Sequence, residues 1–138
     1  MSITLFESEH LTIRYDQQKD YLLLKWNGFS KGQEFRDFAN EVLKAIAHTK
    51  TKRILSDNTN WTTIAPNDQG WAANNWFPKV EASGVRKLAT VLSKDFFHRT
   101  AERSIEGMTD VDCIHIKNFE STEEASAWLN QNAPYPQC

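Results

Sequence analysis

Cysteine is scarce in this chain: two in 138 residues, Cys113 inside an apolar run and Cys138 at the end. Two cysteines are too few for a disulfide framework and have no metal-ligand spacing, a pattern that suits a reducing compartment and a cytoplasmic protein. Charge of one sign is also missing. The 16 Lys and Arg against 18 Asp and Glu leave a formal net charge of -2, so no long-range field favours nucleic acid or an acidic membrane. The local exception, Lys50, Lys52 and Arg53 with Lys44 and His48 just before them, reads as a solvated helix end whose cations complement the dipole. No apolar run is long enough to span a bilayer, and MSITLFESEHL has neither the basic region nor the apolar stretch of a signal peptide. Gly28, Gly32 and Gly70 form no phosphate-cradling loop. His10, His48, His98 and His115 lack metal-ligand spacing and are expected at the surface or partly buried. Neither a metal nor a cofactor is therefore expected.

What the chain does have is aromatic density. Three of the five tryptophans, Trp61, Trp71 and Trp76, fall within the sixteen residues 61–76. Tryptophan is costly to expose and enriched at interfaces and in clefts when it is not core. The segment Asp57 to Pro78, DNTNWTTIAPNDQGWAANNWFP, is therefore the first place to look for binding.

The pattern of elements predicts one α/β domain over residues 1–131, followed by a loose tail at 132–138. Leu11, Ile13 and Tyr15 alternate, a polar turn follows, and Tyr21 to Trp26 completes a hairpin, with Ile3 to Phe6 as a short edge strand. Ser30 and Gln33 read as a capping box ahead of Phe35, Phe38, Ala39, Val42, Leu43 and Ile46 at helical spacing. Arg53 to Asp57 is a buried strand. Pro66 opens a second helix and Pro78 ends it. Val85 to Leu92 is a strand, Ser93 and Asp95 open a helix that stops near Gly107, and Val111 to Lys117 is the last strand. Ser121 and Glu124 cap a final helix with Ala125, Trp128 and Leu129 on its buried face. Strands separated by helices imply parallel crossovers, hence a mixed sheet with an antiparallel edge.

The runs YLLLKWNGFSKGQEFRDF, ILSDN, IAPNDQGWAANNWFP, VRKLATVLSKDFF and FESTEEASAWL resemble the small SpoIIAA-like proteins, relatives of the STAS domain whose function is mostly unassigned. The similarity covers nearly the whole chain. It implies a STAS-like α/β fold, a mixed sheet with an antiparallel N-terminal hairpin, parallel strands after it and helices mainly on one face. Relatives that antagonise anti-sigma factors carry a phosphorylatable Ser or Thr before the second helix. Here that region reads Asp57 to Thr63 without an Asp-Ser-Ser-Gly pattern, and Thr62 and Thr63 are the hydroxyls left as candidates.

Asp57 is expected at the carboxyl end of a strand, where open α/β sheets present their sites, in the role of a loop cap or a partner to a basic side chain. On a regular helix Trp71 and Trp76 stand about 140° apart and cannot share one core face. The candidate binding or interface residues are thus Asp57, Asn58, Trp61, Trp71, Trp76 and Phe77, with no catalytic set among them. The favoured function is a non-enzymatic regulatory or protein-interaction module, with a protein partner or a homodimer. The alternative is a carrier or sensor of a small apolar or lipid-like ligand, which requires an internal cavity.

Overall fold

A computed structural model describes residues 2–131 and 135. The expected tail at 132–138 falls almost wholly outside them. Three strands, β1 (Ser2–Glu7), β2 (Leu11–Asp16) and β3 (Tyr21–Gly28), form an antiparallel meander. Helix α1 (Gly32–Thr49) then crosses to β4 (Arg53–Trp61). A continuous helical run follows: α2 (Pro66–Trp71), a π turn (Ala72–Trp76) and α3 (Phe77–Ala82). Strand β5 (Lys87–Val91), helix α4 (Phe96–Met108), strand β6 (His115–Phe119) and helix α5 (Thr122–Leu129) complete the elements of the described residues. The six strands lie side by side in chain order, with β3 to β6 parallel. This is the expected mixed sheet.

Strand alternation divides the apolar residues between two faces. The register row Leu22, Ile54, Leu88 and Ile116 faces α1, the α2 to α3 run and α4, where Phe35, Ala39, Val42, Ile46, Val80, Ala101 and Ile105 close the main core. The next row, Leu23, Leu55 and Ala89, belongs to the opposite face, which α5 covers with Ala125, Trp128 and Leu129. Successive side chains of a strand point to opposite faces, so a two-sided sheet needs both coverings.

Several boundaries differ from expectation. Strand β4 runs to Trp61 rather than Asp57, so Asp57 sits inside the strand and not at its end. Strand β5 is shorter than Val85 to Leu92, and β6 starts at His115 rather than Val111. Pro78 does not end its helix. Phe77 N–H reaches back five residues to Ala72 O, and Pro78 falls in the first turn of α3, where a missing N–H is tolerated. Trp76 is buried in the main core, whereas Trp71 is half-buried and packs against its margin. The Ser30 capping box does not form: Lys31 is the N-cap, without a side-chain bond, and Gly32 N–H instead donates to Asp68 Oδ2 at 2.8 Å. Cys113 is not a free thiol, so the cysteines no longer argue for a reducing compartment, while Cys138 lies outside the described residues.

The β2–β3 turn carries a pH-sensitive contact. Tyr15 OH donates to Asp20 Oδ1 at 2.6 Å, and this bond, with burial and the Asp20 charge behind it, raises the phenol above its ordinary 10.0. The fold favours the neutral phenol. Its contribution is complete below the unfolded value of 10.0 and is lost as pH rises through the higher folded value. Tyr15→Phe is expected to remove part of the alkaline loss of stability, read as urea midpoints at about pH 8 and about pH 11. An identical alkaline loss in both proteins would show that the bond contributes nothing.

Candidate functional site

The aromatic segment builds the centre of the main core, and a cavity lies within it. Trp61, at the end of β4, stacks on Trp26 of β3 with centroids 4.1 Å apart and rings 5° from parallel. Phe35 of α1 packs beside both, at 6.0 Å from each. On the far side Trp61 meets the His98 imidazole of α4 at 4.6 Å. Trp76 closes the assembly from the π turn, its Nε1–H donating to Ala39 O at 2.8 Å, and Phe77 stands edge-on to it. The rings of Trp26, Phe35, Trp61, Trp76 and Phe77 line a largely apolar cavity of about 80 Å³. Of the wall residues, Phe77, Thr90 and Ile116 are half-buried and Glu106 is exposed, and these four mark its open side.

A polar chain enters this apolar space. Ser56 and Asn58 are two apart on β4 and so point to the same face. Ser56 Oγ donates to Asn58 Oδ1 at 2.7 Å, and Asn58 Nδ2 donates to Glu102 Oε1 at 3.0 Å. His98 and Glu102 lie one turn apart on α4, with Nδ1 2.9 Å from Oε1 but not aligned as a hydrogen bond. All four side chains are buried, His98 completely. Glu102 Oε2 and both imidazole nitrogens have no hydrogen-bond partner among the described residues. A desolvated polar atom of this kind costs about 1–3 kcal/mol, so its retention calls for an explanation.

The other expected residues are placed elsewhere. Asp57 points away from Asn58, and its Oδ1 accepts both the N–H and the hydroxyl of Thr59, at 3.1 and 2.5 Å, which makes it a local cap. Thr62 is half-buried, with N–H and Oγ1 both donating to Gly28 O, whereas Thr63 is exposed. Ser93 Oγ donates to Trp61 O at 2.6 Å and accepts from Asp95 N–H. Asp95 is the helix cap, accepting from His98 N–H. Trp71 is half-buried, edge-on to Phe35 and under the Arg36 guanidinium at 5.3 Å.

His98 and Glu102 escape the sequence reading, which expects His98 at or near the surface. The signal was available. His98, Ala101, Glu102 and Ile105 occupy positions i, i+3, i+4 and i+7, so a helix that buries Ala101 and Ile105 buries the two titratable groups with them. Among the described residues no group of three or more His, Cys, Asp or Glu is arranged to hold a metal ion, and no helix is long and apolar enough to cross a membrane.

Comparison with known proteins adds a frame for the whole fold. The SpoIIAA-like family model matches residues 21–130. A solved structure of an uncharacterized protein of the DUF3478 family, with a SpoIIAA-like fold, from Shewanella loihica PV-4 is 20% identical with a TM-score of 0.60. That match covers 91% of this chain and 98% of the other. No curated protein matches the chain.

Proposed function

The chain belongs to the SpoIIAA-like family, and from there we propose that it is a non-enzymatic regulatory or protein-interaction module working through the carboxyl edge of its parallel strands. Family membership supports a regulatory or interaction role in general. The observation that carries the finer reading is the exposure of two phenyl rings near that edge, Phe97 at 70% and Phe29 at 42%. The neighbouring polar groups are spent on geometry: Thr62 ties the ends of β3 and β4, and Ser93 ties β4 to the loop after β5. Aromatic rings in water beside polar groups already bonded form a surface suited to another protein.

A second reading, a carrier or sensor of a small apolar ligand, is favoured by the cavity between Trp26, Trp61 and Trp76. Native mass spectrometry of the freshly purified full chain reads both, since one spectrum reports subunit count and retained mass. A dimer or a stoichiometric protein partner, weakened about tenfold or more by Phe97→Ser at unchanged melting temperature, is the expected result for an interaction module. A monomer at every concentration, with no partner recovered, would remove it. A monomer carrying a discrete small mass would favour the ligand reading instead.

A further inference from the structure

The sheet ends at β6, and the outer side of that strand is open. His115 N–H donates to Arg86 O and Phe119 O accepts from Leu92 N–H, so residues 115, 117 and 119 turn their backbone groups toward β5. The alternate residues, Ile116 and Asn118, turn theirs outward, and among the described residues no hydrogen bond reaches those N–H and C=O groups. Free backbone groups along a sheet edge are a template for one more strand. Space for its side chains is present as well. On the α4 side of β6 lies a surface hollow of about 380 Å³, with Val111, Ile114 and Ile116 as apolar walls and Glu106 and Asn118 as polar ones. No β5 residue lines it, which places it outward of β6. On the opposite face His115 and Lys117 are exposed. Lys117 Nζ stands 5.5 Å from the Phe119 ring centroid and has no acidic partner among the described residues.

The geometry points to the β6 edge as a docking site for an extended segment of another protein, added alongside β6, in which apolar residues alternate with acidic ones. The outward N–H and C=O groups of Ile116 and Asn118 supply the main-chain bonds. Strand alternation supplies the pattern. One set of side chains enters the hollow, and the other stands beside Lys117, where an opposite charge is favourable and a like charge is not. The same lysine works against a second copy of this chain. Antiparallel pairing of two β6 edges that uses both outward residues matches Ile116 with Asn118 and sets Lys117 opposite Lys117. The site is distinct from the surface of Phe29 and Phe97. Its hollow lies against the C-terminal end of α4, whereas Phe97 stands in the first turn of that helix.

The test titrates the full chain with an end-blocked synthetic peptide of alternating valine and glutamate, about seven residues long and up to about 1 mM, beside the same peptide with lysine in place of glutamate. Amide shifts and hydrogen exchange locate the contact. The glutamate peptide is expected to saturate, to slow exchange of the Ile116 and Asn118 amides about tenfold or more at saturation, and to bind about threefold or more tightly than the lysine peptide. Lys117→Glu is expected to reverse that preference. Asn118→Pro removes an N–H that no ladder bond uses, a change an edge strand accepts, and is expected to abolish binding. Phe97→Ser is expected to leave peptide binding unchanged, which separates this site from the carboxyl edge. Equal binding of the two peptides, shifts confined to the surroundings of Phe29 and Phe97, or no binding by either peptide would overturn the proposal. So would protection of Ile116 and Asn118 that grows with protein concentration alone, since the occupant would then be a second copy. Should Asn118→Pro fail to fold, the reversal in Lys117→Glu decides.

Discussion

Trp61→Ala is expected to destabilise the protein by about 3–5 kcal/mol and to lower its melting temperature by on the order of 10 °C. Trp61 is 8% exposed, lies flat on Trp26 at 4.1 Å, and separates that ring from His98. Truncation removes the stack and enlarges a cavity that is already present, so the transfer and void penalties add. Trp61→Phe keeps part of the stack and should lose much less. Urea unfolding of the three proteins measures the series. A loss below about 1 kcal/mol for the alanine variant would mean that the stack does not hold the core together.

The second large effect is expected at Asp68, which is 2% exposed and joins two helices that meet nowhere near each other in sequence. Its Oδ2 accepts the Gly32 N–H at the start of α1, and its Oδ1 lies 3.4 Å from Arg36 Nε. Asp68→Ala strands that N–H and leaves the buried Arg36 Nε without its ionic partner, while the rest of that side chain, 34% exposed, keeps its contact with water. The penalty is therefore about 2–3 kcal/mol rather than the larger cost of a fully buried broken ion pair. Asp68→Asn keeps an acceptor for Gly32 and should cost less. A double-mutant cycle with Arg36→Ala separates the charge from the cap, and a coupling near zero would assign the whole effect to the Gly32 bond.

These two residues also show what the sequence can and cannot disclose. The hairpin, α1 and the final helix were legible because their signals are local. Alternation places Leu11 and Ile13 inward, and Ser121 Oγ accepts Glu124 N–H as a capping box requires. The cap of α1 was not legible, because its acceptor, Asp68, lies 36 residues away and only tertiary structure brings it in. The length of β4 is hidden in the sequence for a related reason. Its polar residues Ser56 and Asn58 look like the end of a buried strand, yet they stay inside it because Glu102 supplies a partner from α4. Asp57 and Asn58 are neighbours in sequence, yet strand geometry sends them to opposite faces. Of the tryptophans, the crowding was visible, while the stack of Trp61 on Trp26 depends on a pairing of β3 with β4 that no local pattern reports. The π turn has no local signature here either.

The order of the sheet has a consequence for synthesis. Each strand pairs with its immediate predecessor in the chain. A nascent polypeptide emerging from the ribosome therefore always presents the next strand to an edge already made, and no strand has to wait for one not yet translated. The exception is the face of Leu55, Ala89 and Val91, which stays bare until α5, the last helix, has been released with Trp128 and Leu129. A ribosome stalled before that helix would hold a sheet paired along its length but wet on one side, and that half-covered intermediate is the species a chaperone would have reason to meet.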